Sequence, residues 1–361
     1  MAIQPKPGIL SISPYTPGKT ARGGTITPLK LSSNENPFGA SPAALAAYKE
    51  AAAELHRYPD GGASALREAI GQTHGIPAQR IVCGAGSDEL IGLLVHAYAG
   101  LGDEVLYSAH GFLMYSIYAK GCGATPITAA EKNLTADVDA LLEAVTERTR
   151  ILFLANPNNP TGSYLGKAEL ARLRKGLRED IILAIDAAYA EYPGADAEDY
   201  SCGQELVEST ENTVMLRTFS KIYGLGGIRL GWMYGPEAII DVMNRVRSPF
   251  NVNSPAQAAG IAAVKDTQWV AQQKHRNNES LKALAFELAA LGYEVHPSVA
   301  NFVLIGCGSP ENAERLVTAL AARHIYVRDV KAYGLHDCVR ITVGTPAENE
   351  KLLAAIKEIT V

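Results

Sequence analysis

Residues 149–189 read TRILFLANPNNPTGSYLGKAELARLRKGLREDIILAIDAAY, and the class of fold follows from this stretch. Its two apolar runs, RILFLA and IILAI, are of strand length and are bounded by turn residues. Between them KAELARLRKGLRED spaces its apolar residues at three and four, the period of an amphipathic helix. Strands that are apolar on both faces, with a helix between, predict an α/β fold with a mainly parallel sheet covered on both sides. Outward from this unit the pattern repeats. RIVCG (80–84), DEVLYS (103–108) and NTVMLRTFS (212–220) read as further strands, and SDELIGLLVHAYAG (87–100) as a helix. Such sheets bind ligands at the carboxyl ends of their strands, so the residues that follow each strand are the ones to inspect.

Beyond about Asp241 the character changes to a long helical stretch, AQQKHRNNESLKALAFELAALG, followed by FVLIG, IYVRD and CVRITVG as strands. The expected organisation is an N-terminal arm over 1–40, rich in proline and packing with the small domain, a large domain over 41–245, and a smaller α+β domain over 246–361. With 361 residues the chain is long enough for these units. Its 33 basic and 38 acidic residues leave a net charge of −5 without a basic run, so neither nucleic acid nor a membrane is an expected partner. The five cysteines form no C-x-x-C pair and predict no metal site. No apolar segment of bilayer length or signal-peptide form is evident, which gives the cytoplasm as the expected location.

The strand ends carry the chemistry. After RIVCG, Gly84-Ala85-Gly86-Ser87 opens a helix, an arrangement whose tight turn and backbone N–H groups suit a phosphate, although a plain turn is equally compatible. After ILFLA, prolines on either side of Asn158-Asn159 force a turn and hold the Asn159 amide at the strand end. After IILAI, Asp186 ends an apolar run, with Tyr189 three residues on; a carboxylate there needs a cation or donors. After VMLRT, Ser220 and Lys221 precede a glycine-rich loop and Arg229. A lysine in that setting can lose enough of its pKa to act as nucleophile and base.

The ordered set N-P-N-N-P-T-G, D-x-x-Y and S-K-x-x-G-L-x-G-x-R resembles the fold-type I, class I/II aminotransferases over most of the chain. Within them S-N-E-N-P (33–37), R-Y-P-D (57–60), H-G-F-x-M-Y (110–115) and V-R-I-T-V-G (339–344) look like the histidinol-phosphate aminotransferases. The resemblance implies pyridoxal 5′-phosphate as cofactor, bonded to Lys221, with Asp186 on its ring nitrogen and Asn159 and Tyr189 at its phenolic oxygen. Gly86, Ser87, Ser220 and Arg229 would hold its phosphate, and Phe112 would stack on the ring where relatives often carry Tyr. Tyr58 would reach the phosphate of a neighbouring subunit, making the active unit a homodimer with shared sites.

Arg340 would bind the substrate anion, with Arg328 and Tyr15 beside it; guanidinium offers a planar fork that matches carboxylate and phosphate alike. Arg328 could equally pair with Asp329.

The implied reaction takes L-histidinol phosphate and 2-oxoglutarate to imidazole acetol phosphate and L-glutamate in histidine biosynthesis. The alternatives are an aromatic amino-acid aminotransferase, alone or as a second specificity, and a cofactor-dependent decarboxylase of a phosphorylated amino acid. A cofactor-binding regulator would need a DNA-binding module, for which the first 40 residues leave no room.

Overall fold

The structure is a computed structural model that describes residues 5–18 and 27–360. Of the arm expected over 1–40, residues 1–4 and 19–26 therefore lie outside the described residues. The apolar runs assemble into a seven-stranded sheet in the order Ile81–Gly84, Gly231–Tyr234, Thr213–Thr218, Ile182–Asp186, Thr149–Ala155, Glu104–Ser108, Thr125–Ala129. Every neighbouring pair is parallel except those made by Gly231–Tyr234, which is antiparallel to both strands beside it. The reason is local: between Thr218 and Gly231 the chain forms only the short turn Gly226–Ile228, with no helix to carry it back across the sheet.

Alternate residues of each strand serve opposite layers, as the two-residue period of a strand requires. Ile151, Phe153, Ile182 and Ala184 join one core with Leu90, Ile91, Leu94 and Val95 of the helix Ser87–Tyr98. Leu152, Leu154, Leu183 and Ile185 join the opposite core with Leu170 and Leu173 of Lys167–Gly176. Both faces of the sheet are thus buried, and the carboxyl ends of its parallel strands are left to form a site.

A second, five-stranded sheet runs Leu29–Leu31, Ile325–Asp329, Cys338–Thr342, Phe302–Gly306, Glu294–His296. Its first strand comes from the arm and pairs in parallel with Ile325–Asp329. This pairing brings Ser32, Ser33 and Asn34 against the end of Cys338–Thr342: the Asn34 N–H donates to Thr342 Oγ1 at 2.9 Å. The helix Ser254–Lys265, which falls in the 246–361 stretch, packs on Pro42–Ala51 and Ser64–His74 and shares the core of the large sheet.

Candidate active site

A cavity of about 350 Å³ opens where the parallel strands end, and Ala155, Asp186 and Thr218, the last residues of three neighbouring strands, all line it. Lys221 lines it as well, its Nζ donating to the Ser33 carbonyl at 3.3 Å and lying 5.5 Å from the centre of the Tyr189 ring. Burial first, and then the neighbouring Arg340 charge, push its pKa down to about 8, so an uncharged amine is accessible near neutral pH. Asp186 is 6% exposed. Its Oδ2 accepts from the Tyr115 hydroxyl at 2.8 Å, while Oδ1 is buried without a well-formed hydrogen bond among the described residues. Burial lifts its pKa to about 6, against the pull of the Tyr115 hydrogen bond and of the nearby Ala188 backbone N–H.

The substrate side is built from pieces far apart in the chain. Arg340, on Cys338–Thr342, is 4% exposed and stands directly behind Asn159, which lines the cavity. It donates through Nη1 to Asn159 Oδ1 and through Nη2 to the Ser32 carbonyl at 2.8 Å; its Nε is buried without a partner. Burial lowers its pKa, and the nearby Tyr189 and Tyr333 hydroxyls partly offset this. Tyr189, whose pKa burial raises, accepts from the Asn34 side-chain amide at 2.8 Å.

At the other side lies a cup suited to a phosphate. Gly86 has φ +94°, and a Cβ there would come within 2.6 Å of the Arg229 Nη2, so the backbone can pass only as glycine. Ser87 begins the helix Ser87–Tyr98, whose dipole favours an anion at this end. Arg229 takes the left-handed conformation at φ 56°, at a cost of about 1–3 kcal/mol for a residue with a Cβ. Its Nη1 donates to Ser220 Oγ at 3.4 Å and to the Gly226 carbonyl at 3.1 Å. Asp88 also faces the cavity, and burial raises its pKa despite Tyr118 and Arg229.

The family model for aminotransferase class I and II matches residues 26–356. The histidinol-phosphate aminotransferase of Paramagnetospirillum magneticum is 58% identical over 361 residues, covering 99% of this chain and 98% of that protein. That of Rhodospirillum centenum is 53% identical over 98% and 97%. The chain belongs to the histidinol-phosphate aminotransferases. Among solved structures, the histidinol-phosphate aminotransferase from Sinorhizobium meliloti in complex with pyridoxal-5′-phosphate superimposes with a TM-score of 0.85 at 28% identity, covering 92% of this chain and 90% of that one. The present aminotransferase is accordingly a pyridoxal-phosphate enzyme of fold type I.

The residues present fit that cofactor. The Asp186 Oδ1, buried without a well-formed hydrogen bond, suits a protonated pyridine nitrogen, the lowered Lys221 suits covalent attachment, and the Gly86–Arg229 cup suits a phosphate. Phe112 lines the same cavity, its ring edge-on to Tyr115 at 5.9 Å. Tyr15 lines it too, under the Arg328 guanidinium at 5.8 Å. Arg328 donates to the Thr16 carbonyl at 3.0 Å, so its partner is the arm rather than Asp329. Of the expected contacts, Gly86, Arg328 and Arg340 do not line the cavity themselves but bond to or abut residues that do or that flank it, whereas Tyr58 stands apart from it: it is 83% exposed and stacks on Phe250 at 4.8 Å.

A larger groove of about 900 Å³ between Thr267–Ala290 and Pro346–Thr360 contains none of these groups, and chemistry rather than size selects the smaller cavity. Sequence reading missed Tyr115, Asn34 and the Ser32 and Ser33 carbonyls as site components. Tyr115 and Asn34 lie inside the H-G-F-x-M-Y and S-N-E-N-P motifs, which was the available signal.

Proposed function

We propose that this aminotransferase moves the amino group of L-histidinol phosphate to 2-oxoglutarate, giving imidazole acetol phosphate and L-glutamate in histidine biosynthesis. Arg340 carries the reading: a desolvated guanidinium with a free Nε, bonded to the cavity-lining Asn159. Histidinol phosphate presents a phosphate and glutamate presents carboxylates, and a single buried guanidinium accepts both. Arg328 and Tyr15 complete the anion site from the arm side.

Pyridoxal phosphate supplies the electron sink for breaking the bond between Cα and hydrogen. Lys221 would anchor the cofactor, and its amine, with a pKa lowered to about 8, would move the proton at the substrate Cα. Asp186 would keep the ring nitrogen protonated, its carboxylate oriented by the Tyr115 hydroxyl. Asn159 and Tyr189 would hold the phenolic oxygen, Phe112 would cover the ring, and Gly86, Ser87, Ser220 and Arg229 would hold the phosphate. The working unit in this reading is a cytoplasmic homodimer in which Tyr58 completes the phosphate cup of the neighbouring protomer. The exposure of Tyr58, Leu55 and Phe250 supports this. An arm, a large domain and a small domain form part of the same reading, and the packing of Ser254–Lys265 favours counting that helix with the large domain.

The test is a half-reaction screen. Cofactor-loaded enzyme is mixed with histidinol phosphate, phenylalanine, tyrosine, aspartate and glutamate, and the visible absorbance of the cofactor is followed. Histidinol phosphate and glutamate are expected to react fastest. A wide preference for an aromatic amino acid would overturn the substrate while leaving the chemistry at Lys221 intact.

A further inference from the structure

Outside the lining of the cavity, two charged side chains are buried where neither binding nor proton transfer uses them. Arg217 and Glu191 form an ion pair at 2.7 Å, each with only 8% of its side chain exposed. Arg217 lies on the strand Thr213–Thr218, four residues before Lys221, and Glu191 lies five after Asp186 and two after Tyr189. The hydroxyl of Tyr223, two residues after Lys221, is set against the same Glu191 carboxylate; burial and then that negative charge raise its pKa. The guanidinium rests over the Trp232 ring at 5.5 Å, on the strand paired with its own, and the Arg217 Nε is buried without a partner. His74, whose ring also packs on Trp232 at 5.3 Å, is pushed down to about 3 by burial and then by Arg217, so it adds no competing charge.

This is a poor device for stability. Burial works against the Arg217 charge, and the pKa ends above its ordinary value only because the surrounding groups, Glu191 first, outweigh that penalty. A buried pair replaced by well-packed apolar side chains is often neutral or stabilising, and a donor left unpaired adds a further cost. What the pair does accomplish is geometric. Sheet pairing holds Ile182–Asp186 against Thr213–Thr218 as far as Asp186 and Leu216, with a last bond from the Ala187 N–H to the Leu216 carbonyl at 2.9 Å, and beyond it the two segments run on into separate turns. One turn closes on itself through Ala190 N–H to the Ala187 carbonyl at 3.1 Å, the other through Gly224 N–H to the Lys221 carbonyl at 2.9 Å. Glu191, Arg217 and Tyr223 connect them.

We propose that Glu191, Arg217 and Tyr223 are positioning residues: a buried clamp that holds the turn bearing Asp186 and Tyr189 in register with the turn bearing Lys221. The clamp sets the angle at which the cofactor ring is held between its two protein contacts. It rests on the assignment of Asp186 and Lys221 to the cofactor and is independent of which amine is the donor.

The decisive variant replaces the pair by apolar groups, Glu191→Leu with Arg217→Met, in the cofactor-loaded enzyme. Three readouts are taken: melting temperature, visible circular dichroism of the bound cofactor, which reports its orientation, and kcat and KM with glutamate as donor. The clamp predicts a melting temperature equal to or above the parent, a loss of half or more of the visible dichroism, and a kcat reduced at least tenfold with KM changed less than threefold. A merely structural pair predicts that the stable double variant retains parental dichroism and kcat, and that result overturns the proposal. Should the double variant fail to fold, Tyr223→Phe, which removes only a hydroxyl, decides the matter. It is expected to lower dichroism and kcat severalfold without moving KM, and parental values for both would equally overturn the clamp. A parent enzyme that itself shows no visible dichroism would instead remove the cofactor assignment.

Discussion

Arg229 and Arg340, two of the arginines at the cavity, are built in opposite ways. Arg229 is exposed, and its partners Ser220 and Gly226 lie nine and three residues away in the same loop. Arg340 is buried, with partners 181 and 308 residues away in Asn159 and Ser32. A guanidinium in water gives little net energy to a partner, whereas one already desolvated by the fold acts at full strength on whatever anion reaches it. The exposed cup is suited to a resident group with many weak contacts, and the buried fork to substrates that must be discriminated and released. Both cations also act on Lys221, with Arg340 the larger influence on its pKa and Arg229 the smaller.

The comparison has content only if Lys221 is the reacting group on which both arginines act. Lys221→Ala should lower turnover by several orders of magnitude, as removal of a nucleophile and base does. Borohydride reduction of the loaded parent followed by peptide mapping should mark this lysine. The cofactor found on another lysine would dissolve the comparison altogether.

Next in size is Arg340→Ala, expected to cost about 2–5 kcal/mol in kcat/KM because a buried anion loses its charged partner. Both half-reactions should suffer, and Arg340→Lys should recover only part, since the bidentate fork is gone. Single-turnover absorbance with each donor separates the two half-reactions.

Arg229→Ala should act elsewhere and less. A roughly tenfold weaker hold on the cofactor, about 1.4 kcal/mol, is expected in equilibrium dialysis, with kcat/KM nearly parental once cofactor is saturating. Equal losses of substrate turnover in the two variants would break the distinction between a resident and a discriminating cation.

The smallest expected effect is on the pH at which Lys221 reacts. Capture of added pyridoxal phosphate by stripped enzyme requires the uncharged amine, so its rate should rise with pH through a midpoint near the lowered Lys221 value of about 8. A nearby cation disfavours the ammonium form, and removing one therefore raises the pKa and moves the midpoint to higher pH. Arg340→Met should move it further than Arg229→Met, because Arg340 stands ahead of Arg229 among the causes of the lowering. Stopped-flow absorbance across the pH range measures both shifts, and a larger displacement for Arg229→Met would reverse the ranking.

The alternation of strand and helix around 149–189, the mainly parallel character of the main sheet, and the placing of Lys221, Asp186, Asn159 and the Gly86–Ser87 turn just at or after strand ends were legible in the sequence alone, whereas the strands Thr125–Ala129 and Gly231–Tyr234 were not named from it. Each legible feature is a local matter: a period of two or 3.6, a proline that cannot continue a strand, a charge that ends an apolar run. The Arg229 loop belongs to the same class, because its contacts close within a few residues.

Tertiary structure decided the rest. Tyr115 reaches Asp186 across 71 residues, Asn34 reaches Tyr189 across 155, and Arg340 reaches Asn159 only because the second sheet is seated beside the first. Arg217 and Glu191 read as ordinary charged residues until the fold buries them together. A hydrogen-bond partner far along the chain leaves no period in the sequence. Any of several polar residues could have filled the place, and only the packing of the two sheets brings one of them within reach.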